Sequence, residues 1–112
     1  MDLRSRSENN LQVVSVHDTR IDAAVAIEFK DAMRASTDGG GDTVVLDLSE
    51  VQFIDSSGLG AIVAAMKHMG QSRTLALAGL TPTVDKVFRL TRMDSVFSVF
   101  PTLDGALEEL NS

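Results

Sequence analysis

Short runs of aliphatic and β-branched residues alternate along the chain with stretches whose apolar positions recur every three or four residues. The runs LQVVSV (11–16), TVVLDL (43–48) and TLALA (74–78) read as buried strands, and residues 95–100 as a last short strand that Pro101 breaks. Val51, Phe53 and Ile54 continue the apolar content of the second run. Between the strands lie helical patterns. Asp22 is placed to cap a helix over residues 23–35, with Val25, Phe29 and Ala32 at helical spacing, Ala26 and Met33 beside them, and an end near Ser36. Leu59, Ile62, Val63 and Met66 form a second stripe, closed by Gly70. Thr81 as N-cap and Pro82 at the first helical position open a third helix, lined by Val84, Val87, Phe88 and Thr91. Leu103, Ala106, Leu107 and Leu110 mark a fourth, with Asp104 early, where the helix dipole favours an anion. Residues 1–10 offer nothing to bury and are expected to be a loosely ordered end, and Asp38–Asp42 (DGGGD) a flexible turn. Strands alternating with helices predict an α/β fold with a mainly parallel sheet covered by helices on at least one face.

The 112 residues fit a single domain, 1–112, and 44% hydrophobic content suffices for one core. A net charge of −6 repels phosphate backbones over most of the surface, which argues against nucleic acid as a partner. The absence of cysteine removes disulfides, thiolate catalysis and cysteine-ligated zinc together, and suits a reducing cytoplasm. No apolar run approaches the ~18 residues of a membrane span, and no apolar segment follows the two N-terminal arginines, so neither insertion nor export is expected. His17 and His68 stand in different segments without a ligand cluster, so no metal and no cofactor is expected.

Asp55-Ser56-Ser57-Gly58 sits where the second apolar run passes into a helix. Serine and aspartate are good N-caps, and a purely structural reading of the tetrapeptide stops there. Gly58 and Gly60 fit that reading poorly, because glycine within a helix costs roughly 0.8 to 1 kcal/mol relative to alanine. Two in the first turns imply a close approach to the backbone. The functional reading is that a helix start, with unpaired N–H groups and the positive dipole end, receives phosphoryl oxygens well, and that a serine held there can accept a phosphoryl group. The new group would bring roughly −1.5 to −2 charges. Other serine or phosphate chemistry lacks parts: there is no GxxxxGK[ST] loop, and neither serine stands in G-x-S-x-G.

The stretch VVLDLSEVQFIDSSGLGAIVAAMKHM closely resembles the signature of STAS domains, in particular the small anti-sigma factor antagonists, in which a strand ends in D-S-[ST]-G-[LIV]-G and a helix follows. Ile21-Asp22 is similar to the end of the family's G-E-[LI]-D, and T-P-x-V-x-x-x-F-x-x-T over 81–91 to a later family helix. The resemblance spans about residues 11–110 and implies a mixed, mainly parallel sheet of four to five strands with about four helices. It further implies a phosphorylation switch rather than an enzyme. Carried over by position, Ser56 is the phosphorylation site. The unphosphorylated form would bind a serine kinase of the GHKL type that doubles as an anti-sigma factor, phosphorylation would release it, and a PPM-type phosphatase would reverse the modification. On this reading Asp55 orients the hydroxyl, Ser57 supports the helix, Gly58 lets the partner's nucleotide phosphate come near, and Asp22, Leu59 and Gly60 complete a partner-facing edge. The free protein would be a cytoplasmic monomer without membrane or nucleic-acid partners. Thr19 and Arg20 replace the family's glycine and acidic residue before Ile21-Asp22, and Met93-Asp94 stands where many members have Gly-Leu. The rival readings are an unphosphorylated STAS subunit of an ABC-type lipid transporter and a small serine hydrolase.

Overall fold

A computed structural model describes residues 1–111. The chain forms strands β1 (Leu3–Glu8), β2 (Leu11–Val16) and β3 (Arg20–Ile21), helix α1 (Ala26–Thr37), strands β4 (Thr43–Asp47) and β5 (Phe53–Ile54), helix α2 (Ser56–Met69), strand β6 (Thr74–Ala78), helix α3 (Pro82–Leu90), strand β7 (Ser98–Phe100) and helix α4 (Leu103–Leu110). The main sheet has the order β1-β2-β4-β6-β7, parallel except for β1, and β3 pairs with β5 in a separate parallel ribbon. A mixed five-stranded sheet with four helices agrees with the expected fold class.

The pleat explains why the strand sequences are apolar throughout. Alternate residues point to opposite faces, and both faces are covered. Val14, Val16, Val44, Leu46, Leu75 and Leu77 pack with Phe29, Met33, Ile62 and Phe88 of α1, α2 and α3, whereas Leu11, Val13 and Val45 face Ala106 and Leu107 of α4. Each large aliphatic or aromatic side chain fully buried here contributes about 1.5–3 kcal/mol relative to exposure. Phe88 meets Phe97 edge to face, with ring centroids 6.1 Å apart.

Several expectations are corrected. Residues 3–8 are not a loose end but an edge strand, paired antiparallel with β2 from Leu3 opposite Val16 to Glu8 opposite Leu11. Ladder hydrogen bonds need no apolar side chains, and an edge strand with charged residues is a usual way to finish a sheet. The terminal ammonium meets Glu28 at 3.2 Å and the Asp2 N–H donates to Asp18 at 2.7 Å. Asp22 does not cap α1: the helix starts at Ala26 behind Val25, which has no capping side-chain bond. Its carboxylate instead accepts from the Ala24 N–H at 3.1 Å, and its carbonyl from the Val25 N–H at 3.1 Å, closing the turn before the helix. The Thr81 hydroxyl donates to the Val51 carbonyl at 2.7 Å rather than capping α3. On α2 the buried stripe is rotated toward Ala61, Ile62, Ala65 and Met69, leaving Leu59, Val63 and Met66 half-buried.

Candidate functional site at the start of helix α2

Two short segments meet at the end of the β3–β5 ribbon. Ile21 pairs with Ile54, both buried, so the residues that follow each are delivered side by side: the turn 22–25 from one and the start of α2 from the other. Asp55 joins them. One oxygen, Oδ1, accepts from the Gly58 N–H of its own helix at 2.9 Å, and the other, Oδ2, accepts from the Ala23 N–H at 3.1 Å. The aspartate is therefore an N-cap and a clamp across 32 residues of sequence. Hydrogen bonding from the Gly58 N–H, with a further contribution from the Ala23 N–H and opposed by partial desolvation, holds the Asp55 carboxyl below the usual carboxylate range. It is anionic at neutral pH.

Ser56 is the first residue of α2, exposed, and its hydroxyl makes no hydrogen bond within the described residues. Ser57 and Gly60 are exposed as well. A Cβ on Gly60 would meet nothing within 4 Å, so the surface beside Ser56 is open. Gly58 is different. It is buried, and a Cβ there would lie 1.9 Å from the Ile21 carbonyl oxygen and 3.0 Å from the Ile54 side chain. The close approach that its presence in a helix signals is made by the chain's own strand β3, which corrects the expectation that Gly58 faces a partner's phosphate. Leu59 likewise packs against the core and is only half-exposed.

Asp22 lies beside the clamp, and its carboxylate is engaged by Arg20 at 3.1 Å. The Arg20 guanidinium also stacks over the exposed Phe53 ring, 4.4 Å from its centroid, as the opposed positions of these residues in the ribbon allow. Of the seven residues singled out in the sequence, Ser56, Ser57 and Gly60 form the outer surface, Asp22 and Asp55 hold it in shape, and Gly58 and Leu59 turn inward. The Ala23 N–H and the Arg20–Phe53 stack are additions. No sequence motif marks Ala23, because its contribution is a backbone group brought in by the ribbon.

Neither histidine hydrogen-bonds to a residue of this site among the described residues. His17 Nδ1 lies 2.5 Å from Glu50 Oε2, and His68 is twelve residues along α2, about 18 Å from Ser56 at the helical rise. No helix among the described residues is long and apolar enough to cross a membrane.

A mixed α/β sheet with a serine-bearing helix start clamped to a neighbouring strand end defines a small domain of the STAS class. The chain belongs to that family: the STAS domain family model matches residues 6–106. It is 32% identical over 80 residues to the anti-sigma-B factor antagonist of Listeria monocytogenes, covering 70% of each chain. It is 28% identical over 99 residues to the anti-sigma-F factor antagonist RsfB of Mycobacterium tuberculosis, covering 88% of this chain and 80% of the relative. Among solved structures, an anti-sigma factor antagonist from Mycobacterium paratuberculosis superposes with a TM-score of 0.88 at 28% identity, over 99% of this chain and 94% of the other.

Proposed function

We propose that this chain is an anti-sigma factor antagonist controlled by phosphorylation of Ser56. The observation that carries the reading is the exposed, unbonded Ser56 hydroxyl at the first position of α2, within the family's D-S-S-G motif and held in place by the Asp55 clamp. The names of the relatives support the regulatory role. In the unmodified state the surface around Ser56 and Gly60 docks on a serine kinase of the GHKL type that also serves as the anti-sigma factor. Docking frees the kinase's other target. Transfer of a phosphoryl group to Ser56 then ends the complex, and a PPM-type phosphatase restores it. The chain acts in the cytoplasm as a monomer, and it is a binding module rather than a catalyst, in line with the names of its relatives.

The physics of release is direct. The unmodified hydroxyl is a neutral group that an interface accommodates at little cost. A phosphoserine dianion brought into the same contact without basic partners must be desolvated, and a mispaired buried charge costs about 2 to 5 kcal/mol. Since 1.4 kcal/mol is tenfold in affinity, even the lower end is more than tenfold. In the free chain the same dianion rests against the positive end of α2 and in water, so the modification weighs on the complex and not on the fold.

The test is the intact mass of the protein from its native cells, with peptide mapping across residues 51–70 before and after phosphatase treatment. A phosphatase-sensitive increment of one phosphoryl group on Ser56 is the expected result. Phosphate on Ser57 alone would keep the switch and move its position. Persistent absence under growth and stress conditions, with a transporter ATPase as the co-purifying partner, would replace the proposal with the transporter-subunit reading.

A further inference from the structure

The chain is acidic overall, yet a groove on its surface carries basic side chains and no acidic one. It runs between α1 and α2, with Met33, Ala64 and Ala65 as its floor and Lys30, Arg34 and His68 at its sides. None of these three basic side chains forms an ion pair among the described residues, which they share with Lys67, Arg73, Lys86 and Arg92. The groove cannot neutralise itself across the helix pair, because α2 contains no acidic residue from Ser56 to Met69. Asp31 lies about 100° further round α1 than Lys30 and three residues before Arg34, but forms no ion pair with either among the described residues. Arg34 falls in the last turn of α1, where its charge also offsets the carbonyl end of the dipole. Lys30 does not, since it is in the second turn of α1.

The groove is continuous with the surface described above. Ser57, Gly60, Ala64 and His68 follow one another along a single side of α2, at spacings of three and four residues. Gly60 and Ala64 keep that path low between the switch serine and the basic end. We propose that the α1/α2 groove is the second half of the docking surface and takes an acidic segment of the partner kinase, with Lys30, Arg34 and His68 meeting its carboxylates. The proposal rests on the switch reading for the identity of the partner. A net charge of −6 over the whole chain repels such a segment in general, so the local basic groove fixes its approach and its register along α2.

Two measurements test it, and they fail separately. In the first, ¹⁵N-labelled chain is titrated with a peptide of about ten glutamates, a probe that carries the charge without the kinase. The amides of residues 30, 34, 64 and 68 are expected to shift together, and the Lys30→Glu, Arg34→Glu double variant to lose the shifts while keeping its dispersed spectrum and melting temperature. A titration that leaves these amides in place, or moves them equally with an oligonucleotide of the same charge, overturns the groove as a carboxylate site. In the second, the purified kinase that modifies Ser56 is immobilised with ADP. The double variant should associate about tenfold more slowly at low salt, and the difference should vanish near 1 M salt. If association is unchanged while Ser56→Asp still weakens binding, the groove is overturned and the switch stands. If the glutamate peptide and the double variant behave as expected while Ser56→Asp has no effect, the groove stands and the switch falls.

Discussion

Helices α2 and α4 begin alike and are used differently. Each follows an extended cap residue whose side chain accepts from the N–H of a glycine three positions on: Asp55 from Gly58 at 2.9 Å, Thr102 from Gly105 at 3.0 Å. Local chemistry ends there. Thr102 has one acceptor atom, and it is spent inside α4. Asp55 has a second oxygen, and that oxygen reaches the Ala23 N–H on another segment. Gly58 is pressed onto the Ile21 carbonyl, while a Cβ on Gly105 would meet only the hydroxyl of its own cap, at 3.0 Å. The same four-residue device is a simple helix start at α4 and a tertiary junction at α2. The motif's specificity lies in its fit to β3, which gives the serine between clamp and glycine a fixed position.

Adding one methyl group to each glycine should separate the two helix starts most clearly. Gly58→Ala drives a Cβ to 1.9 Å from a backbone oxygen, which no rotamer change relieves, so a loss of about 3 kcal/mol is expected despite alanine's better helix propensity. Gly105→Ala needs only a few tenths of an ångström from a threonine side chain and should stay within about 1 kcal/mol of the parent. Urea unfolding of the two variants measures both. Equal effects would mean that the approach of α2 to β3 is softer than its geometry implies.

Removing the caps is the next step down. Asp55→Ala should lower the melting temperature more than Thr102→Ala, since it frees two N–H groups on two segments. The caps also differ in their response to acid. The Asp55 carboxyl titrates lower in the folded chain than in the unfolded one, first because of the Gly58 N–H. Its contribution is therefore complete above the unfolded value of about 3.9 and disappears as the pH falls through the folded value. Thermal unfolding from pH 6 to pH 2 should show Asp55→Asn losing less stability with acid than the parent. Thr102→Ala, which removes no titrating group, should run parallel to the parent at an offset of about 1 kcal/mol.

These contrasts mark what the sequence could carry. Residues 11–16, 43–48 and 74–78 read as strands because the signal is local, an apolar run bounded by turn residues. Strand β1 did not, because LRSRSE is shaped by pairing with β2 and buries almost nothing. The two-residue strands β3 and β5 are too short for any period to show. Gly58 did announce a close approach, as glycine in a helix must, but the neighbour is Ile21, and only the ribbon register brings it there. Asp55 announced a cap and concealed a clamp, since its second bond spans 32 residues.

The smallest expected effect is the one on which the switch reading depends. Ser56 lies between the clamp and the glycine, but its own side chain is exposed and unbonded, and the capping oxygen of α2 belongs to Asp55. Ser56→Ala should therefore change stability by no more than about 0.5 kcal/mol, the range of a surface substitution. The same variant should leave partner binding intact and abolish phosphorylation, fixing the chain in its docking state. A large stability loss would mean that the hydroxyl supports the junction, and a residue needed for the fold could not be modified without consequence for it. A silent Ser56→Ala beside a damaging Gly58→Ala is the pattern of a switch residue mounted on a rigid seat, with its chemistry left free for a partner.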